Sequence, residues 1–146
     1  MVVVCPRIVE VIRPFIARPQ TAWVNEFSGT VFEWMGAFDE AEALYARSAR
    51  LNADRFGPGA ALARLKTWRG IYDPVLPEVT SLLSAHPEQG ILRRLLGIIH
   101  VGEGRFDEGR TCLTRALELL PGDSEALLWR AETFFRQKRY DEALED

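Results

Sequence analysis

The chain has 146 residues, of which 47% are hydrophobic and 27% are charged, and its formal net charge is −3. This balance is typical of a folded globular protein and not of a disordered chain. The net negative charge argues against general nucleic-acid binding, which requires a concentrated basic surface. Its two cysteines, Cys5 and Cys112, are too few for a disulfide framework or a cysteine metal site, and they favour a reducing compartment.

The first segment, residues 1–21, is apolar but is interrupted by prolines and charged residues, among them Pro6, Arg7 and Pro14. It lacks the basic start and the unbroken apolar run of a secretion signal. No other stretch approaches the length of a membrane span. The sequence therefore predicts a cytoplasmic protein that does not enter a membrane.

One short pattern recurs along the chain at a fixed interval. It begins at Gly36, Gly70, Gly104 and Lys138, each 34 residues after the one before. Two residues later comes an aromatic residue and then an aspartate, as in Phe106 and Asp107. A column of small residues at positions 29, 63, 97 and 131 keeps the same period, and marks where paired helices should approach closely. Several positions in register predict a repeat protein.

Each repeat contains two segments with the periodicity of a helix. In the first segment of one repeat, apolar residues fall at i, i+3, i+4 and i+7, and the second segment does the same: Leu92, Leu95, Leu96 and Ile99, then Leu113, Ala116, Leu117 and Leu120. No segment alternates as a strand does. The aspartate of each pattern is expected to cap the second helix and to lie at the positive end of its dipole. Asp123 is expected to cap the first helix of the following repeat.

The period divides the chain into a degenerate half repeat at 1–21, full repeats at 22–55, 56–89 and 90–123, and a truncated repeat at 124–146. We treat these as one continuous array. The repeat at 56–89 opens with "FGPG", so its first helix is expected to start late, near Pro58.

The 34-residue spacing, "LLG" in the first helix, "GRFDEG" at the turn and "ALELLPGD" at the end resemble the tetratricopeptide repeat. The resemblance covers essentially the whole chain, and it is strongest in 90–123 and weakest in 56–89. It implies an all-α fold, a right-handed superhelical solenoid of stacked antiparallel helix–turn–helix repeats. It also implies that the first helices line a concave groove that binds a peptide or a segment of a partner protein.

The resemblance assigns candidate partner-binding residues to the first helices. They are Trp23, Glu33, Trp34, Arg64, Trp68, Ile91, Arg94, Ile98, Val101, Glu132 and Phe135. Trp34 and Trp68 lie one period apart, and either anchor a partner or pack between repeats. Arg64 and Arg94 are candidates to receive an acidic group of the partner.

One partner is excluded by the same resemblance. Repeats that clamp the Glu-Glu-Val-Asp tail of heat-shock chaperones use lysine, asparagine and arginine at defined groove positions. Those positions hold here Glu26, Thr30, Ala61, Ile91 and Leu95. Acidic and apolar side chains stand where cations and amides are needed, so we do not expect a chaperone tail to bind.

No set of residues predicts catalysis or a cofactor. His86 and His100 have no cysteine, histidine or aspartate at the spacing of metal ligands, so no metal site is expected. The three glycines of "GEGRFDEG" follow a helix instead of a strand and lack the lysine of a phosphate-binding loop. We therefore expect a protein that is not an enzyme.

The first and last residues fall inside repeats, so that Phe134, Tyr140 and Leu144 are expected to have little cover. The chain is either a piece of a longer array or packs its ends against another copy. The function that we predict is a non-catalytic interaction and scaffold module. The alternatives are a scaffolding segment of a larger enzyme, such as a glycosyl- or sulfotransferase, and a scaffold that self-assembles through its uncapped ends.

Overall fold

The computed structural model describes residues 21–52 and 56–146, together with Glu10 and Pro14. Every regular element in this part of the chain is a helix, which confirms the all-α prediction. The predicted half repeat at 1–21 lies almost entirely outside the described residues. In chain order the helices are α1 (Ala22–Trp34), α2 (Phe38–Leu51), α3 (Phe56–Trp68), α4 (Val75–Ala85), α5 (Gly90–Gly102), α6 (Phe106–Leu119), α7 (Ser124–Arg136) and α8 (Tyr140–Glu145).

The chain divides into two compact units, residues 1–65 and 66–146. In the first unit α1 and α2 pair as a hairpin, and in the second unit α5 and α6 do the same. Helix α3 is described from Phe56, the same repeat position at which α1 and α5 begin, so the expected late start near Pro58 is wrong and Pro58 lies in the first turn. A proline is tolerated there because the first N–H groups of a helix have no partner within the helix. None of the helices in the described residues has the length and apolar character needed to cross a lipid bilayer.

The first helix of each described repeat ends in the same turn. Helices α1, α3, α5 and α7 are each followed, two residues on, by a residue with φ between 61° and 79°: Gly36, Gly70, Gly104 and Lys138. After α1, the Gly36 N–H donates to the Glu33 carbonyl and the Ala37 N–H to the Phe32 carbonyl, both at 2.9 Å. The other three turns contain the same two bonds. This Schellman motif explains why the sequence pattern begins with a glycine.

The aspartates that follow the aromatic residues do not cap the second helices, so that prediction is wrong. Helices α2, α6 and α8 begin at the aromatic residue, which places Asp39, Asp107 and Asp141 in the first turn. No side-chain cap hydrogen bond precedes these helices or α4. The three carboxylates do lie at the positive end of the helix dipole, as expected. The expected cap by Asp123 is present, since its Oδ1 accepts the N–H groups of Glu125 and Ala126 at 3.1 Å.

Small residues let the two helices of a hairpin approach closely. A Cβ atom added to Gly97 of α5 would lie 2.6 Å from Leu113 Cγ and 3.1 Å from the Gly109 carbonyl oxygen of α6. A Cβ atom added to Gly29 of α1 would lie 2.8 Å from the ring of Tyr45 in α2. Only a residue without a side chain fits at these two contacts.

The first unit contains a buried polar set inside its core. Tyr45 lies among Phe32, Leu44 and Leu65 and is almost fully buried. Its hydroxyl donates to Glu33 Oε2 at 2.7 Å. The same carboxylate receives two hydrogen bonds from the Arg64 guanidinium, at 2.6 and 2.7 Å. Glu33 thereby joins α1, α2 and α3.

In the second unit, the core forms where α7 packs on both helices of the α5–α6 hairpin. Ile98 and Val101 of α5, Leu113 and Ala116 of α6 and Ala126 of α7 are buried together. Phe106, Leu117 and Trp129 pack against this cluster. The apolar face of one hairpin is therefore covered by the first helix of the next repeat.

We expect the Lys138→Gly substitution to stabilise the protein by roughly 0.5–1 kcal/mol. Lys138 is the one non-glycine residue among the four turns with positive φ, and its side chain strains a left-handed backbone. The relief of this strain exceeds the entropy that glycine adds to the unfolded chain. Urea unfolding, followed by circular dichroism, measures the difference.

Two variants serve as controls for this prediction. Gly104→Ala should destabilise by about 1 kcal/mol through the backbone alone, because a Cβ atom there would meet no atom within 4 Å. Lys138→Ala removes the charge but keeps the strain, so it should not stabilise. Equal stabilisation by Lys138→Ala and Lys138→Gly would contradict the explanation.

We also expect Tyr45 to titrate late. Burial, with the hydrogen bond to the Glu33 carboxylate as a further cause, raises the pKa of Tyr45 from 10.0 to about 12. Between these two pH values the folded protein keeps a proton that the unfolded chain releases. The free energy of unfolding should therefore fall as the pH rises through this window. Ultraviolet absorbance of tyrosinate and urea unfolding over the same pH range test both effects.

The Tyr45→Phe variant should lose the late absorbance step, whereas Tyr140→Phe, at an exposed tyrosine, should keep it. A late step that persists in Tyr45→Phe would assign it to another tyrosine and refute the prediction.

Candidate partner-binding surface

The predicted binding residues of α5 differ strongly in exposure. Ile98 and Val101 are at most 1% exposed, because α7 covers them as part of the core cluster. In this position they have no surface to offer a partner. Ile91, at the start of the same helix, is exposed.

Arg94 and Glu125 form a row of side chains with Trp68, which ends α3 and belongs to the second unit. The Arg94 guanidinium contacts Asp123 Oδ2 at 2.6 Å and Glu125 Oε2 at 3.3 Å, both at the start of α7. The other carboxylate oxygen of Glu125 accepts the indole N–H of Trp68, the last residue of α3, at 3.2 Å. Side chains that are far apart in sequence thus form one continuous row across α3, α5 and α7.

The row leaves the Trp68 ring accessible while it holds the indole N–H. Trp68 is 52% exposed, although Glu125 accepts its only hydrogen-bond donor. Arg94 in turn orients Glu125. The second unit therefore presents an aromatic surface whose side chain is already restrained.

In the first unit, the two predicted tryptophans are exposed and the two predicted charges are paired. Trp34 is 80% exposed at the end of α1. Trp23 is also exposed, and its ring stacks on that of Phe27 with centroids 5.8 Å apart. Glu33 is buried and paired with Arg64, as described above. Neither Arg64 nor Arg94 therefore presents an unoccupied guanidinium to an acidic ligand.

The predicted residues of α7 lie at a second exposed area. Phe135 packs edge-on against Tyr140 with ring centroids 5.5 Å apart, and Glu132 accepts from Arg136 Nε at 2.7 Å. Leu128 and Phe135 are both exposed. These side chains border a depression of about 350 Å³ that also includes residues of α8.

Phe27 is a surface residue that the sequence pattern does not indicate. Its positions one, two and three periods later hold Ala61, Leu95 and Trp129, an apolar column that indicates packing. In α1, however, Phe27 is exposed. Whether the residue at this repeat position is buried depends on the element that packs against the repeat. The sequence of the repeat itself does not contain that information.

Burial also shifts the pKa of two further titratable groups, His100 and Cys112. Burial, with the charge of Arg105, lowers the pKa of His100, and burial raises the pKa of the Cys112 thiol. The imidazole is therefore mainly uncharged and the thiol protonated at neutral pH. Across the described residues, His, Cys, Asp and Glu side chains form no group of three suited to a metal ion.

Comparisons with known proteins agree with this architecture. Residues 94–146 match the tetratricopeptide repeat family. No curated protein matches the sequence. The crystal structure of TTC0263, a thermophilic tetratricopeptide repeat protein of Thermus thermophilus, has a TM-score of 0.77 at 19% identity, and the match covers 84% of this chain and 69% of that one.

Structures of MamA are also similar. The structure of MamA from residue 41 to its end, from Desulfovibrio magneticus RS-1, has a TM-score of 0.71 at 17% identity, covering 85% of this chain and 70% of that one. The MamA structure of strain AMB-1 has a TM-score of 0.64 at 26% identity, covering 88% of this chain and 70% of that one. Residues 94–146 thus match the tetratricopeptide repeat family, and the chain as a whole shares the fold of tetratricopeptide repeat proteins.

Proposed function

We propose that the chain is a non-catalytic interaction module that holds a segment of a partner protein against the exposed side chains of its first helices. Repeat folds of this kind use extended surfaces for binding and not a single deep pocket. The observation that carries the proposal is Trp68, whose indole N–H is held by Glu125 while half of its surface is exposed.

An aromatic side chain restrained before binding is an effective anchor. Tryptophan is among the residues most enriched at binding hot spots, because it buries a large area and has few rotatable bonds. Ordering a side chain during association costs free energy, and the Arg94–Glu125–Trp68 row reduces that cost. Trp34 offers a similar exposed indole in the first unit.

The charges around Trp68 indicate the chemistry of the partner. Arg94 is already paired with Asp123 and Glu125, so an acidic partner would have to displace carboxylates of this chain. This differs from the expectation drawn from sequence, which assigned Arg64 and Arg94 to an acidic group. We infer instead a segment with an apolar side chain that packs on the Trp68 ring, because the charges beside this ring are already paired with one another.

The Trp68→Ala substitution should weaken partner binding by about tenfold to a hundredfold. The loss follows from the removal of buried aromatic area, and helical content should not change. The intact chain is immobilised, the retained protein is identified and purified, and its affinity for each variant is measured by calorimetry. Circular dichroism checks the fold.

Two further variants sharpen this test. Trp68→Phe keeps a ring but lacks the indole N–H, so its loss of affinity should be smaller than that of Trp68→Ala. Leu51→Ala removes an exposed apolar side chain at the end of α2 and should leave affinity unchanged. The proposal fails if neither Trp68→Ala nor Trp34→Ala lowers the affinity, or if Leu51→Ala lowers it equally.

A further inference from the structure

Two exposed apolar surfaces occupy positions whose counterparts elsewhere in the chain are covered by a neighbouring repeat. The α7–α8 surface consists of Leu128, Phe135, Tyr140 and Leu144, which border the depression of about 350 Å³. The α1 surface consists of Trp23 and Phe27, together with the partly buried Met35. Leu128 is 67% exposed, and Trp23 and Phe27 are 62% and 59% exposed.

The α5–α6 hairpin carries the equivalent of the α7–α8 surface one repeat earlier, and the helix that packs on it is known. One period before Phe135 and Tyr140 stand Val101 and Phe106. Both belong to the core that α7 covers, in which Trp129 is the large side chain contributed by α7. A hairpin of this chain therefore receives the first helix of a repeat on this face.

The α1 surface lies on a first helix and includes the repeat position that packs on the preceding hairpin in other repeats. Phe27 stands three periods before Trp129. Ala61, in the same column of α3, packs against the core of the α1–α2 hairpin. Ala61 of α3 and Trp129 of α7 thus pack on the hairpin that precedes each helix, whereas Phe27 at the same repeat position of α1 is exposed.

A pair of charged side chains inside the chain is replaced by an apolar pair at the two exposed surfaces. Arg94 of one repeat contacts Glu125 of the next at 3.3 Å. Two periods earlier, the equivalent positions are Glu26 and Gly57 in the first unit. These two residues also lie close together, since a Cβ atom on Gly57 would lie 2.9 Å from Glu26 Oε1. One period after Arg94 is Leu128, and three periods before Glu125 is Trp23.

A second pair changes in the same way. Arg110 Nη1 donates to Gln137 Oε1 at 3.2 Å between α6 and the residue after α7. One period after Arg110 is Leu144, and three periods before Gln137 is Met35. At two separate positions, polar partners inside the chain correspond to apolar residues on the two exposed surfaces. In the register of the repeats, each surface therefore corresponds to the partner of the other.

We propose that the α7–α8 surface of one copy binds the α1 surface of a second copy, in the arrangement in which α7 packs on the α5–α6 hairpin. Leu128 then contacts Trp23 of the second copy, and Phe135 and Tyr140 contact its Phe27. Since each copy uses a different surface towards each neighbour, the contact is heterologous and continues into a chain of copies or closes into a ring. The proposal does not depend on partner binding at Trp68.

The association is predominantly apolar. Its driving force is the removal of the leucine, phenylalanine and tryptophan side chains from water, which scales with the area buried. Added salt should therefore not weaken it, in contrast to an association held by ion pairs.

Three variants test the pairing of Leu128 with Trp23. Sedimentation velocity of the 146-residue chain from about 1 μM to about 1 mM should show growing species for the wild type. Leu128→Arg and Trp23→Glu should each weaken association by about tenfold or more, because each places one charge against an apolar side chain. The double variant restores the pair found between Arg94 and Glu125 and should associate again, now with a dependence on salt.

Matched substitutions at an exposed residue outside the two surfaces complete the design. Leu51→Arg and Leu51→Glu introduce the same two charges at an exposed leucine and should leave association unchanged. Circular dichroism confirms that each variant is folded, and a mixture of the two single variants should regain association. A wild type that stays monomeric to about 1 mM overturns the proposal. It is equally overturned if only one single variant is impaired, as in a symmetric dimer, or if the double variant is not rescued.

Discussion

A hairpin of two helices has more apolar surface than its own contact can bury, and the first helix of the following repeat covers what is left. In the second unit this cover is α7, which encloses Ile98 and Val101 against α6. The hairpin itself closes because Gly97 allows α5 to approach Leu113 and the backbone of α6. Close approach within a repeat and cover from the next one are the two contacts on which the rest of the fold depends.

The turn between the paired helices keeps these contacts in register. Each of the four turns ends a first helix with the same two hydrogen bonds and a residue of positive φ. The direction in which the chain leaves the helix is therefore the same each time, and in three of the four repeats the second helix starts at the aromatic residue. At the fourth turn the geometry persists with Lys138 in place of glycine, so the surrounding contacts impose it on an unfavourable residue.

The polar residues of the first helices form ion pairs and hydrogen bonds that hold neighbouring helices together. Glu33 binds both Arg64 and Tyr45 in the core of the first unit, and Arg94 binds Asp123 and Glu125 in the second. These pairs satisfy charges that are partly withdrawn from water, which would otherwise destabilise the structure. The row that ends at Trp68 also restrains an exposed ring, so one set of contacts supports both the packing and the proposed binding surface.

The sequence by itself determined the repeat length, the helical class, the glycine turns and the small residues between paired helices. The helices, turns and small residues are encoded within a few residues, by backbone conformation and helical periodicity, and the repeat length follows from their recurrence along the chain. Only the tertiary structure decided that Ile98 and Val101 are buried, that Phe27 is exposed and that Arg94 is bound to Asp123. Each of these depends on a residue from a neighbouring repeat, or on its absence, and an apolar or charged side chain looks the same in the sequence whether or not that neighbour covers it.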